Sequence, residues 1–108
     1  MIDRLNSDYP PKPSSVDRHA KSVYWAVVRE CLWTFHSFLK TSARNAVKDY
    51  RKKLKGSPSE SMRDLIYHAE PFYIACDLAE IHDPVKQSQL LKEKGREYDR
   101  ILEKHEQE

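Results

Sequence analysis

Glycine is the residue that this sequence most clearly lacks, since only Gly56 and Gly95 occur among 108 residues. Sheet proteins of this size need turn residues about every 8–12 positions, and the chain does not supply them. Two isolated glycines also cannot form the glycine-rich loop that holds phosphates in nucleotide-binding enzymes. We therefore predict an all-α fold and expect no cofactor.

Cysteine and metal-ligand patterns are equally sparse. Cys31 and Cys76 are the two cysteines, each within an apolar helical stretch, and no C-x-x-C pair exists. We interpret them as buried, reduced thiols; a functional thiol is the alternative. Asp64 and His68 form an Asp/Glu–His pair at a spacing of four residues, and one such pair is too little for a metal site. We therefore expect no metal.

Long apolar runs are missing as well. The most apolar segment, residues 23–39, is interrupted by Arg29, Glu30 and His36. It falls short of the roughly 20 apolar residues that a membrane span requires. The N-terminus shows no signal-peptide pattern. The sequence therefore predicts a cytoplasmic protein with no membrane partner.

Charge is distributed unevenly along the chain. Residues 1–55 carry 12 Lys/Arg against 5 Asp/Glu, whereas residues 56–108 carry 7 against 12. The two halves could attract each other within one fold or across a dimer. Alternatively, the basic half binds an anionic partner, either an acidic protein or a nucleic acid.

Helical periodicity covers most of the chain. Residues 1–14 are predicted to form a disordered, Pro-rich arm and residues 15–106 a single helical domain. We predict three to four helices, at about 15–55, 58–69, 71–82 and 84–106, with boundaries at Ser57-Pro58, Pro71 and Asp83-Pro84. Gly95 on the last helix indicates either a close approach by a neighbouring helix or a bend.

The first predicted helix, Ser15–Lys55, is exceptionally long, because no proline or glycine interrupts its apolar stripe before Gly56. At 1.5 Å per residue, about 40 residues span ~60 Å, which is more than a domain of this size can cover. Either the helix breaks near Thr41-Ser42, or a second copy covers the overhang. We favour the homodimer.

A basic ridge follows this helix. One strip of the helical wheel carries Arg29, Trp33, Lys40, Arg44, Lys48, Arg51 and Lys55. A row of cations beside an aromatic ring is typical of phosphate contact combined with base stacking. The alternative is a solvated helix face, with Trp33 in the core or in a subunit contact.

The segment Arg63-Asp64-Leu65-Ile66-Tyr67-His68 resembles the R-x4–6-H signature of HEPN domains. These are all-α domains, many of which are dimeric, metal-independent endoribonucleases. The resemblance implies that His68 acts as general acid or base, that Arg63 holds the scissile phosphate and that Asp64 orients the imidazole. Arg63 and His68 lie about 140° apart on an ideal helix, so a kink at Pro71 or a partner subunit would have to bring them together. The alternative is an exposed Asp64–His68 ion pair.

Three functional hypotheses follow. The first is a non-enzymatic oligomerisation or interaction module that engages an acidic or nucleic-acid partner through the basic ridge. The second is a HEPN-like ribonuclease of the toxin type, as the resemblance implies. The third is RNA or DNA binding without cleavage.

Overall fold

Four α-helices and one short 3₁₀ turn make up the part of the chain that the structure describes. The structure, a computed structural model, describes residues 13–56 and 66–106, with side chains from residue 19 onward. The helices are α1 (Pro13–Phe35), α2 (Lys40–Lys55), α3 (Pro71–Leu78) and α4 (Pro84–Glu106), with the 3₁₀ turn at Ile66–His68. No strand occurs within these ranges. The predicted all-α class is confirmed. Of the predicted disordered arm, residues 1–14, the last two residues belong to α1, which corrects that boundary, and residues 1–12 lie outside the described residues.

Helix α1 is the central element of the core. It packs against each of the other three helices. Its fully buried side chains are Trp25, Val27, Val28, Cys31 and Leu32. Because these residues occupy more than one face of the helix, α1 is surrounded rather than packed on one side. Both cysteines are free and buried, as the sequence predicted.

The single long helix predicted for Ser15–Lys55 is wrong, because the chain turns between Phe35 and Lys40. Ser37 adopts a left-handed conformation with φ 63°. The Leu32 carbonyl accepts hydrogen bonds from the N–H groups of His36 at 3.1 Å and Phe38 at 3.2 Å, which ends α1. The turn falls slightly before Thr41-Ser42, where a break had been the alternative.

A balance of energies explains this turn. A non-glycine residue in the left-handed region costs about 1–2 kcal/mol. The turn allows α2 to pack back on α1, which buries Ala43 and Val47 almost completely. Burying one valine side chain stabilises a fold by about 1.5–3 kcal/mol. The packing outweighs the local strain, so the helix breaks without proline or glycine.

The same turn removes the reason for predicting a homodimer. The dimer was expected to cover an apolar stripe projecting from a ~60 Å helix. In the structure α1 covers that stripe within one chain, and the described residues extend over 52 × 31 × 27 Å. No helix in the described ranges is long and apolar enough to cross a membrane.

The start of α3 follows a proline signal, but its end does not. Pro71 begins α3, as predicted, but α3 ends at Leu78 rather than near residue 82. Glu80 has φ 66°, while the N–H of Ile81 donates to the Cys76 carbonyl at 2.9 Å. This is the Schellman arrangement that closes many helices. The predicted helix at 58–69 lies mainly outside the described residues, and its last part is the 3₁₀ turn.

Helix α4 begins and ends where the sequence predicted. The Asp83 carboxylate accepts a hydrogen bond from the Val85 N–H at 2.9 Å and caps the helix. Gln87 joins α4 to the end of α3, because its Nε2 donates to Asp77 Oδ1 at 2.8 Å and to the Ile81 carbonyl at 2.7 Å. Tyr98 and Ile101 supply the buried face of α4.

Candidate nucleic-acid interface

A depression lined by cations lies between α1 and α2. Its volume is about 400 Å³, and it is open to solvent. Its lining residues are Arg29, Arg44, Val47, Lys48, Arg51, Lys52 and Lys55. We call this set the basic groove. Its cations come mainly from α2, which carries seven Lys/Arg and one Asp in 16 residues.

Five residues of the predicted ridge line the basic groove, but they do so in a different geometry. The prediction placed Arg29, Arg44, Lys48, Arg51 and Lys55 along one straight helix. On such a helix, Arg29 and Lys55 would lie about 39 Å apart. The turn after Phe35 folds the helix into an antiparallel pair, so Arg29 on α1 faces cations on α2. The predicted linear ridge is therefore a concave groove.

Lys40 and Trp33 are the two ridge residues that do not line the groove. They lie near the α1–α2 turn, where Lys40 Nζ is 5.4 Å from the centroid of the Trp33 ring. Trp33 is partly buried and packs against the core. The Trp33 indole therefore makes a core contact beside one lysine. A core contact for Trp33 was the alternative to base stacking.

Lys52 and Trp25 contribute to the groove, although the sequence did not single them out. Lys52 lies about 100° from Arg51 on a helical wheel, outside the predicted strip, yet it lines the depression. Trp25 is fully buried, and the Arg51 guanidinium lies 5.5 Å from its ring centroid. Such a cation–π contact restricts the orientation of the guanidinium. In the sequence, this cation–π contact is indicated only by the presence of a tryptophan within the apolar part of α1.

The electrostatics of the groove are unbalanced. Burial lowers the pKa of Arg29 from its ordinary value, and the charges of Arg51 and Arg44 lower this pKa further. None of the lining residues is acidic. Within the described ranges, no groove cation forms an ion pair with a carboxylate. The groove therefore concentrates positive charge that an anionic ligand could neutralise.

Glu30, next to Arg29 in sequence, is held by α4. Its carboxylate lies 3.2 Å from Lys104 Nζ and 2.8 Å from His105 Nε2. The Glu30 and His105 side chains are only 13% and 10% exposed. The acidic side chain closest to Arg29 in the sequence is therefore paired with α4: His105 contacts it from a nearly buried position, and Lys104 from the exposed side.

The segment around His68 is anchored on α1 by aromatic contacts. The Tyr24 hydroxyl lies 3.0 Å from the carbonyl oxygens of both Ile66 and Ala69. Trp25 Nε1 donates a hydrogen bond to the Tyr67 hydroxyl at 2.9 Å. His68 itself ends the 3₁₀ turn and is exposed. Arg63 and Asp64 lie outside the described residues, so the predicted catalytic set is described only at His68.

Glu70 and Tyr98 join the start of α3 to α4. The Tyr98 hydroxyl donates to Glu70 Oε1 at 2.6 Å and accepts a long hydrogen bond of 3.4 Å from the Phe72 N–H. Burial, together with the Glu70 carboxylate, raises the pKa of Tyr98. The hydroxyl therefore remains protonated and acts as a structural donor.

Two thiols and one imidazole are further ionisable groups in the interior. Burial raises the pKa of Cys31 and, to about 11, that of Cys76, so both thiols stay protonated near neutral pH. His36 Nε2 is buried and has no hydrogen-bond partner among the described residues. In the same part of the chain, no three His, Cys, Asp or Glu side chains are grouped as metal ligands.

Comparison with known proteins provides no relative from which a site could be transferred. No family model, curated protein or solved structure matches the chain. Function must therefore be inferred from the groove and its surroundings.

Proposed function

We propose that this protein is a non-enzymatic helical binding module that engages the phosphate backbone of a nucleic acid through its basic groove. One observation carries the proposal: six cations from α1 and α2 converge on one concave surface without an acidic lining residue. Lysine and arginine contacts to phosphate release condensed counterions, which is the main source of affinity in sequence-independent binding.

The composition of the groove favours a nucleic acid over an acidic protein. Val47 is its only apolar lining residue. Protein–nucleic acid interfaces are much more positively charged than interfaces between proteins, and six of the seven lining residues are cations. Three of the six cations are arginines, whose planar guanidinium matches the oxygens of a phosphate.

The groove is suited to backbone contact rather than to base recognition. Direct reading of adenine relies on amide contacts to the base edge, and direct reading of cytosine on carboxylate contacts. The lining contains no Asn, Gln, Asp or Glu. Trp33, the predicted stacking residue, lies near Lys40 rather than in the groove. We therefore expect affinity with little sequence preference.

The groove lies within one chain, so binding requires no second copy. The predicted homodimer is a separate hypothesis, and light scattering tests it. The predicted cytoplasmic location would give the protein access to RNA.

A salt titration tests the proposed function. For a labelled single strand, we expect the logarithm of the affinity to fall linearly with the logarithm of salt concentration, with a slope of about −0.7 per contacted phosphate. Lys48→Gln should weaken binding to all sequences and reduce the magnitude of this slope by about 0.7. Fluorescence anisotropy at several salt concentrations measures both quantities.

Lys53→Gln is the matched control, because Lys53 is an exposed lysine of the same helix that does not line the groove. It removes the same charge and should leave the slope almost unchanged. Equal effects of both substitutions would point to a general attraction by α2. Absence of binding to RNA and DNA at low salt, with binding to an acidic peptide, would assign the groove to a protein partner.

A HEPN-like ribonuclease is the second candidate. It is favoured by the exposed imidazole of His68 on a backbone segment that Tyr24 anchors at Ile66 and Ala69. We expect such an enzyme to cleave RNA in the presence of EDTA and to lose this activity in His68→Ala and Arg63→Ala. Circular dichroism controls for folding. Cleavage that persists in both variants, or no cleavage by the parent protein, contradicts the ribonuclease hypothesis.

A further inference from the structure

Burial divides the basic groove into two parts. Arg29 is half-buried, whereas Arg44, Lys48, Arg51, Lys52 and Lys55 are exposed. Burial destabilises the charged form of Arg29, and the nearby positive charges of Arg51 and Arg44 destabilise it further. Arg44 and Arg51 both act on this partly desolvated position. On α2, Lys48 lies between these two arginines, and Lys52 and Lys55 lie beyond Arg51.

The charge at this point has no protein counterpart among the described residues. The groove lining is free of carboxylates. Glu30, which follows Arg29 in sequence, is bound instead by Lys104 and His105 at 3.2 and 2.8 Å. A partly buried arginine is normally matched by an anion. The protein leaves that position at Arg29 available to a ligand.

The neighbouring arginine is also held in place. The Arg51 guanidinium lies 5.5 Å from the centroid of Trp25, whose indole donates to the Tyr67 hydroxyl at 2.9 Å and packs edge-on against Tyr50. A guanidinium fixed in this way loses less freedom when it binds an oxyanion. Arg29 and Arg51 thus form a more ordered site than a row of flexible lysines.

We propose that the part of the groove around Arg29 binds a phosphate monoester at the end of a nucleic-acid strand. This inference rests on the proposed function. An internal phosphodiester carries one negative charge, whereas a monoester carries about 1.5 to 2 near neutral pH and presents three acceptor oxygens. Arg29, Arg44 and Arg51 match that higher charge. Lys52 and Lys55, which lie beyond Arg51 on α2, then contact the phosphates that follow along the strand.

The distances along α2 agree with this arrangement. Arg44 and Lys55 are separated by 11 positions, or about 16 Å at 1.5 Å per residue. The volume of the groove, about 400 Å³, falls within the range of roughly 300–1,000 Å³ that is typical of small-ligand sites. The groove therefore has room for a terminal nucleotide, with lysines placed beyond it.

Oligonucleotides that differ only at their ends test the inference. We would compare one short single-stranded sequence with a 5′-phosphate, with a 3′-phosphate and with hydroxyls at both ends. At least one phosphorylated form should bind about tenfold more tightly than the hydroxyl form. Arg29→Gln should abolish this preference, whereas Arg29→Lys should retain part of it, because charge persists without the guanidinium fork.

Lys55→Gln and Lys53→Gln are the controls, with thermal melting as the check on folding of every variant. Lys55→Gln should weaken binding of the phosphorylated and hydroxyl forms by the same factor, and Lys53→Gln should change neither affinity appreciably. Equal affinity of the parent protein for all three oligonucleotides overturns the terminal-phosphate site while leaving backbone binding intact. Failure of all three to bind overturns both proposals.

Inorganic phosphate and a mononucleotide distinguish a strand end from a free phosphate. If the strand end is the ligand, either compound should compete only at concentrations far above that of the phosphorylated oligonucleotide, because it lacks the contacts to Lys52 and Lys55. Competition by the mononucleotide at the same concentration as the oligonucleotide would assign the site to a small molecule and overturn the strand-end inference.

Discussion

Trp25 links two parts of the molecule that are distant in sequence. One edge of its indole donates to Tyr67, beside His68, and its face lies against Arg51 of the groove. It is fully buried. A single core residue therefore orders both a groove cation and the segment that carries the exposed histidine. Packing of this kind sets side-chain orientation at a binding surface that the residue itself does not reach.

The Tyr98 hydroxyl provides a test of the contact between α3 and α4. Tyr98→Phe removes the hydrogen bond to Glu70 and leaves the Phe72 N–H without its acceptor. We expect the free energy of unfolding to fall by about 1–2 kcal/mol, since the ring still packs in the core. Urea denaturation measures the change. Glu70→Gln should cost less, because its amide oxygen still accepts the bond; an equal or larger loss would contradict this account.

His36 should make stability depend on pH. Burial lowers its pKa below the ordinary value of 6.5. The unfolded chain therefore binds more protons than the folded one as the pH falls below about 6.5, so the free energy of unfolding decreases there. Urea denaturation at about pH 7.5 and about pH 5 should show a smaller decrease for His36→Gln than for the parent protein. Identical decreases would show that His36 does not contribute.

At the scale of the element, α4 has space for a side chain at Gly95, so the packing does not require a glycine there. A Cβ atom built at this position meets nothing within 4 Å beyond the helix itself. The close helix approach that the sequence suggested is therefore wrong. Gly95→Ala should raise the free energy of unfolding by about 0.5–1 kcal/mol, because alanine favours the helix and restricts the unfolded chain. Thermal melting measures this gain; a loss of stability would reveal a contact that the helix makes at this position.

Local sequence signals predicted some elements and missed others for physical reasons. Pro71 and Asp83-Pro84 act on their own backbone, so they predicted the starts of α3 and α4 correctly. The turn at Ser37 carries no such signal, because its strain is offset by the burial of Ala43 and Val47 against α1. That stabilisation comes from tertiary packing, which helical periodicity does not display.

The candidate site was also predicted only in part, because periodicity within a helix is visible in the sequence and packing between helices is not. Helical periodicity placed Arg44, Lys48, Arg51 and Lys55 on one face, and this face does line the groove. The periodicity could not reveal that Arg29 lies across from them or that Lys52 joins them, because both facts depend on the turn between α1 and α2. Trp33 was grouped with the cations because it lies on the same strip of the helical wheel, but in the structure it is partly buried and packs against the core.

At the scale of the whole molecule, the paired helices α1 and α2 change the expected assembly. Among the described residues, Leu39 and Val85 are the large apolar side chains that are strongly exposed. Two scattered side chains do not form a dimer interface. We expect light scattering to give the mass of one chain, 12.8 kDa. A mass twice as large, independent of dilution, would restore the predicted homodimer.

The crowding of cations between α1 and α2 also has a consequence for the free protein. Repulsion among Arg29, Arg44 and Arg51 opposes the packing of these two helices. Added salt screens this repulsion, and a bound polyanion neutralises it. The melting temperature of the free protein should therefore rise with ionic strength, while the gain in melting temperature that an oligonucleotide provides should shrink over the same range. The two opposite responses arise from one set of charges.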